Sequence, residues 1–326
     1  MKNEELKIVF MGTPEFGAII LEGLVKNGYK PVLVITEPDK PVGRKQIITP
    51  SPVKVLAERY KISVKQPEKI LDLKSEIINL NPDLVVVAGY RQVLPKEILD
   101  IPKYGCLNVH PSLLPKYRGA SPIQYAILNG DEESGVTIIL MDEKIDHGKT
   151  ISNIQYQISN KKITHLELAR ELAELGVKLL IDTIPNWVNG KIKPESQDES
   201  KATYTKILKK EDGKIDWEKS AQEIERQIRA FNPWPGSFTF WQILKGTLIR
   251  IKILQARIFK SPDHKIYPIG KVLVVPQNEI GVGCRRRYPA SQEFLVIEKL
   301  QLEGKKETDS EEFLRGYPDF IGTILM

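Results

Sequence analysis

A chain of 326 residues with 41% hydrophobic residues is long enough to bury the cores of two ordinary domains. No apolar run approaches the ~18 residues of a membrane span, and the opening Met1-Lys2-Asn3-Glu4-Glu5 is too polar and acidic for a secretory or transit peptide, so the expectation is a cytoplasmic protein. Two distant cysteines, Cys106 and Cys284, and four histidines without ligand spacing argue against a disulfide framework and a metal site; the net charge is +6.

The first residues read as the βαβ opening of a doubly wound sheet. Residues 6–11 form a short apolar run, Gly12-Thr13-Pro14 a turn, 15–27 an apolar pattern at helical spacing, and 31–36 a second strand. Gly12 and Gly17 invite a phosphate-loop reading. However, no Lys-Ser/Thr follows, the Gly-x-Gly-x-x-Gly pattern is absent, and Pro14 lacks an amide that a phosphate would need. The turn is therefore read as structural.

Residues 37–52 form a long connection with four prolines and the adjacent basic pair Arg44 and Lys45, longer than most links in α/β units. Composition leaves open whether it is a functional loop or a disordered insertion. A strand near 62–65, a helix over 68–80 and a β-branched strand over 84–88 follow, the last running into Gly89-Tyr90.

Cys106-Leu107-Asn108-Val109-His110 alternates as a strand. Asn108 and His110 therefore project to the same side, and Pro111 stops the ladder just beyond them. In open α/β sheets the carboxyl edge of the strands is where ligands bind. A bare Asn-x-His pair is nonetheless more often a satisfied core histidine beside a turn asparagine. Ser121-Pro122 opens a helix to 129, 136–141 and 150–158 alternate as strands, and 164–188 is a long amphipathic helix ended by Asn189-Gly190.

The stretch 190–208 lacks periodicity and reads as a linker. Beyond it come a short helix over 222–231, the turn Phe231-Asn232-Pro233-Trp234-Pro235-Gly236, and strand-like runs at 249–253, 270–275, 280–284 and 294–302. Arg250 and Lys252 share the outer face of one such strand. Between 245 and 287 ten basic residues stand against two acidic ones, the footprint of a polyanion partner or else a solvated face. The expected fold is α/β: a Rossmann-like doubly wound domain over 1–189, a linker over 190–208, and a smaller OB-like β-barrel domain over 209–326.

Two segments carry a resemblance. Asn108-Val109-His110-Pro111-Ser112-Leu113-Leu114-Pro115, followed by Tyr117 and Gly119, and the loop Met141-Asp142-Glu143-Lys144-Ile145-Asp146-His147-Gly148 together resemble the signature of the 10-formyltetrahydrofolate-dependent formyltransferases. The resemblance implies Asn108, His110 and Asp146 as catalytic residues. It also implies a folate cradle of Ser112, Leu113, Leu114 and Pro115 with the 142–146 loop, 10-formyltetrahydrofolate as co-substrate, and no metal.

Within that family the methionyl-tRNA branch is similar along nearly the whole chain. Leu300-Gln301-Leu302-Glu303-Gly304-Lys305-Lys306 and Phe313-Leu314-Arg315-Gly316 discriminate it best. This implies initiator methionyl-tRNA as the acceptor and tRNA contacts at Arg44 and Lys45; the basic strand face of Arg250 and Lys252 is a further candidate for the tRNA, and the enzyme is expected to be a monomer. The order Gly89-Tyr90 is inverted from the one common in that branch, and His147 and Lys149 replace small or acidic residues.

Formyl transfer is an acyl transfer through an oxyanion. Asn108 and His110 have the donors to stabilise it, each worth ~2.7–4 kcal/mol when well oriented, and Asp146 would orient the histidine and relay protons through water. Two other readings remain open at this point: an enzyme of the same fold acting on a small molecule such as an amino-sugar nucleotide or on formylfolate itself, and a non-catalytic RNA-binding protein.

Overall fold

Ile8–Gly12 (β1), Leu84–Ala88 (β6) and Cys106–His110 (β7) are buried along their whole length, as strands covered on both faces must be. The computed structural model describes residues 6–43, 45–159, 162–243, 246–260, 267–285 and 293–326. They group into two units, one holding 1–122, 132–159 and 167–206, the other 123–131, 160–166 and 207–326.

In chain order the first unit contributes β1, α1 (Glu15–Lys26), β2 (Leu33–Ile35), β3 (Lys40–Val42), β4 (Ile47–Thr49), α2 (Pro52–Arg59), β5 (Val64–Lys65), α3 (Lys74–Leu80), β6, α4 (Lys96–Leu99), β7 and β8 (Arg118–Gly119). After α5 (Pro122–Asn129) come β9 (Glu133–Leu140), β10 (Lys149–Gln157), α6 (His165–Val188) and β11 (Tyr204–Thr205). Among the described residues a seven-stranded sheet runs in the order β10-β9-β7-β6-β1-β2-β5. The strands from β7 to β5 are parallel, and β9 and β10 extend that sheet antiparallel.

This is the doubly wound arrangement expected, and it sets the carboxyl end of β7 beside that of β6. A Cβ on Gly12 or Gly17 would lie 2.7 or 2.5 Å from the Ala88 carbonyl oxygen, so both glycines serve close packing of the first turn and α1 on the end of β6.

The long connection after β2 is not wholly irregular. β3 and β4 pair antiparallel in a hairpin, and α2 follows with Ser51 as N-cap, its hydroxyl accepting from the Lys54 amide, and Pro52 at the first position. Ile47 and Ile48 stand exposed on the hairpin. Lys45 is exposed in its turn. Arg44 lies outside the described residues.

The second unit adds α7 (Ala221–Phe231), β12 (Ser237–Gln242), β13 (Leu248–Lys260), β14 (Val272–Val275), β15 (Glu279–Gly283), β16 (Glu293–Leu302), β17 (Glu307–Asp309) and α8 (Ser310–Gly316). Among the described residues they form a six-stranded antiparallel sheet in the order β12-β13-β16-β15-β14, with β17 on β16. β13 runs well past the expected 249–253. Its pairing with β16 shifts register around Gln255, and an extra residue there breaks the alternation that the sequence reading relied on.

Ile251, Ile253, Ile297 and Leu300 pack with Ile224 and Ile228 of α7 and with Phe313 and Phe320. Trp241 meets Phe313 and Phe320 edge-on, with ring centroids 6.4 and 5.1 Å apart. A reciprocal capping box of Ser220 and Glu223 starts α7. Ser220→Ala is expected to lower stability by about 1 kcal/mol, a shift measurable by urea melting. No helix among the described residues is long and apolar enough to cross a membrane.

Candidate active site

Pro111 ends β7 immediately after His110, and the strand's two-residue period brings Asn108 and His110 to one face, 9% and 4% exposed. The loop between β9 and β10 brings Asp146 to the same place. The Asn108 Nδ2 amide donates to Asp146 Oδ1 at 3.2 Å, and His110 Nδ1 lies 3.5 Å from that same oxygen. The other carboxylate oxygen accepts from the Gly119 amide at 2.8 Å. Asn108, His110 and Gly119 thus meet at one carboxylate, which stands 38 positions from Asn108 in the chain.

The far side of the imidazole is held as well. His110 Nε2 donates to the Tyr117 carbonyl at 3.0 Å, and the Tyr117 amide donates to Thr203 Oγ1 at 2.8 Å. Nδ1 is therefore the ring nitrogen turned toward Asp146 and Asn108. Tyr117 and Asp146 both sit in the left-handed region, at φ 63° and 49°. For residues with a Cβ that conformation persists only where surrounding bonds enforce it.

Ser112 to Pro115 connect this strand end to β8. The Ser112 hydroxyl donates to the Lys116 carbonyl, and Thr137 of β9 both donates to the Ser112 carbonyl and accepts from the Leu114 amide. Ser112 is buried and spoken for, while Leu113, Leu114 and Pro115 are half-buried and present apolar surface. At the end of β6, Gly89 turns at φ 66°. Tyr90 carries a buried hydroxyl without a hydrogen-bond partner among the described residues, its pKa pushed up to about 12 by burial and by nearby Glu37. A groove of about 680 Å³, lined in part by Leu99, Tyr104, Cys106, Met141, Asp142 and Trp187, opens beside the Asp146 loop.

Neither cysteine is equipped as a nucleophile. Cys106 and Cys284 are each 1% exposed, and burial pushes both thiols up to about 12. The native protein should release no colour from Ellman's reagent over minutes, and both thiols should react once urea unfolds it.

Sequence reasoning did not assign roles to Arg118, Gln197, Glu199, Thr203 or Thr205. They stitch the aperiodic stretch after α6 onto the site: β11 pairs with β8, the Thr203 carbonyl accepts from the Arg118 amide, and Thr205 Oγ1 accepts from the Ser121 amide. Hydrogen bonds from Arg118 hold the Glu199 carboxyl below its ordinary value of 4.5, and Glu199 in turn raises Arg118.

A depressed carboxylate contributes stability that is present above its unfolded pKa and disappears as pH falls through the folded value. The melting-temperature difference between the parent and Glu199→Gln should therefore hold from pH 8 down to about 5 and vanish in more acid solution, as calorimetry across that range would show. His147 lies in the same network, with Nδ1 2.5 Å from Asp142 and Nε2 3.6 Å from Glu199.

The residues singled out for a polyanion stand elsewhere. In the second unit Arg250 lies over the Phe238 ring at 5.3 Å, 3.8 Å from Glu303, and Lys252 shares its side of β13. Part of the basic stretch is locally neutralised, Arg257 by Glu279 and Glu298 and Lys260 by Glu293. Lys245, Lys265, Arg286 and Arg287 lie outside the described residues. Among the described residues no group of three or more His, Cys, Asp or Glu could hold a metal ion.

The chain matches the formyl transferase model over residues 6–184 and the formyl transferase C-terminal domain model over residues 207–318. A methionyl-tRNA formyltransferase of Bacillus velezensis is 45% identical, over 98% of this chain and 97% of its own. One from Citrifermentans bemidjiense is 42% identical over 98% and 96%.

Among solved structures, an N-formyltransferase from Helicobacter canadensis in complex with folinic acid and dTDP-3-aminofucose shares the fold with a TM-score of 0.63, at 22% identity, over 90% of this chain and 99% of that one. HypX from Aquifex aeolicus in complex with tetrahydrofolic acid matches at TM-score 0.59 and 18% identity, over 97% of this chain, which spans about half of HypX (47%). With both family models matched in order and relatives this similar from end to end, the chain belongs to the formyl transferase family, alongside the methionyl-tRNA formyltransferases.

Proposed function

We propose that this protein transfers the formyl group of 10-formyltetrahydrofolate to the amino group of methionine on initiator methionyl-tRNA, for translation initiation, as a cytoplasmic monomer. The observation that carries the reading is the convergence of Asn108 and His110 on one oxygen of Asp146. Full-length relatives named for this activity support the acceptor.

The methionine nitrogen attacks the formyl carbon and the carbonyl oxygen gains charge. The C–N bond to the folate then breaks, with one proton leaving the amine and one reaching the folate nitrogen. Asn108 has two amide hydrogens, and only one is needed for Asp146. The second is the donor for the oxyanion, in a site whose burial strengthens such a bond. His110 faces the same Asp146 oxygen, fixed in orientation by Tyr117, and the carboxylate with a water passes the proton from amine to folate.

The transfer is direct, consistent with Cys106 being inert and the Ser112 hydroxyl being engaged. Ser112, Leu113, Leu114 and Pro115, together with the 142–146 loop, are assigned to the folate. Lys45, with Arg44 outside the described residues, and Arg250 and Lys252 are assigned to the tRNA. The structural relatives acting on amino sugars are too distant in sequence to argue for that acceptor, and an intact Asn, His and Asp constellation argues against a purely RNA-binding role.

The test is acceptor specificity with salt dependence. Contacts to phosphates release counterions, so the KM for charged tRNA should rise at least about tenfold between 50 and 200 mM salt. Lys45→Ala and Lys252→Ala should each raise it further while leaving the KM for the formyl donor unchanged. Salt-insensitive transfer, to an amino-sugar nucleotide and not to charged tRNA, would overturn the acceptor assignment.

A further inference from the structure

Arg118 is only 1% exposed, and its guanidinium is engaged on every side. Nε and Nη2 donate to Gln197 Oε1 at 3.1 and 2.9 Å, Nη1 and Nη2 donate to the two Glu199 carboxylate oxygens at 3.0 and 2.6 Å, and Nη1 also donates to the Tyr204 hydroxyl at 3.1 Å. A planar fork of this kind fixes the partners it binds.

With Oε1 of Gln197 turned to the guanidinium, its Nε2 must point the other way. There it donates to the carbonyls of Asp146 and Gly148, at 2.9 and 2.7 Å. Those two carbonyls flank His147, and the first belongs to the left-handed residue Asp146 itself. One arginine therefore sets one amide, and that amide holds the backbone from which the Asp146 carboxylate projects.

The same strand acts on the other partners of the site. Pairing of Arg118–Gly119 with Tyr204–Thr205 places the Gly119 amide on Asp146 Oδ2 and sets the Tyr117 carbonyl under His110 Nε2. The contacts that orient the imidazole thus trace to one cluster built around the buried Arg118 side chain and the strand pairing beside it. Half of that cluster comes from the stretch between α6 and the second unit.

We propose that Arg118, Gln197 and Glu199 are positioning residues for formyl transfer, so that the stretch 195–206 is part of the catalytic machinery as well as a connection. The proposal rests on the assignment of Asn108, His110 and Asp146 above. It concerns which residues hold those three, and none of Arg118, Gln197 or Glu199 touches the reacting atoms in this account.

Gln197→Glu isolates the effect: it keeps an acceptor for Arg118 and replaces the donor with an oxygen facing two carbonyls. Displacing a catalytic group by about an ångström costs roughly 10²-fold, so kcat should fall on that order while the KM values for formyl donor and charged tRNA stay within about threefold. Gln197→Ala, which removes the donor without repulsion, guards against misfolding of the first variant and should fall in the same direction.

The deciding readout is a cycle with Asp146→Asn. If Gln197 acts through Asp146, Gln197→Ala should add little once Asp146 is already replaced. Full additivity, or an unchanged kcat in Gln197→Glu and Gln197→Ala while Asp146→Asn is impaired, would overturn the positioning role alone. An unimpaired Asp146→Asn would instead overturn the catalytic assignment and the clamp with it.

Discussion

Asn108→Ala and His110→Ala are each expected to lower kcat for formyl transfer by about 10²–10³-fold, the usual cost of losing one oriented donor to an oxyanion, while leaving formyl-donor affinity within a few fold. The expectation follows from where the two side chains stand. Both are buried at the end of β7, both face Asp146 Oδ1, and His110 is clamped on its far side by a backbone carbonyl. Removing Asn108 takes away a donor in a site where water has little access to replace it.

Removing His110 takes away the ring and also its hydrogen bond to the Tyr117 carbonyl, so some of the loss will appear as stability. Single-turnover kinetics at saturating donor, with melting curves on the same samples, separate the two. A variant that folds as the parent does and still transfers at the parental rate would contradict the assignment.

Gly148→Ala should be nearly as damaging although residue 148 touches no substrate. A Cβ built there would lie 1.9 Å from the Leu140 carbonyl oxygen and 2.9 Å from its carbon, and both are backbone atoms of β9 that cannot turn aside. The loop must move instead. Asp146 lies two residues earlier, and the Gly148 carbonyl is one of the two that Gln197 grips.

A shift on the ångström scale in Asp146 costs about 10²-fold in rate, and the loss should fall on kcat rather than on either KM. The glycine of the Asp-x-Gly motif is thus explained by lack of room, with no call on unusual backbone freedom. Parental kcat in a folded Gly148→Ala protein would show that the loop tolerates displacement and that Asp146 is not held as described.

How much of this site could be read beforehand depended on local periodicity. Asn108 and His110 were accessible because a two-residue period and a following proline are local signals. Asp146 was accessible only through its motif, since its approach depends on a left-handed residue in a loop, which no periodicity encodes.

Arg118 lies between Tyr117 and Gly119, yet its role is not legible in the sequence, because its partners lie 79 to 86 residues away in a stretch without pattern. The β3–β4 hairpin was hidden by Pro41, which is tolerated in a strand with an open edge. The full length of β13 was hidden by the register shift at Gln255. Around the site, what the sequence left out was made by hydrogen bonds between distant segments.

The most direct measurement is transfer of labelled formyl from 10-formyltetrahydrofolate to methionine-charged initiator tRNA, beside uncharged tRNA and an amino-sugar nucleotide, with Asn108→Ala, His110→Ala and Asp146→Asn run in parallel. Label on the charged tRNA alone, lost or sharply reduced in all three variants, is the predicted result. Label on the sugar alone would contradict the acceptor, and undiminished transfer in the three variants would contradict the site.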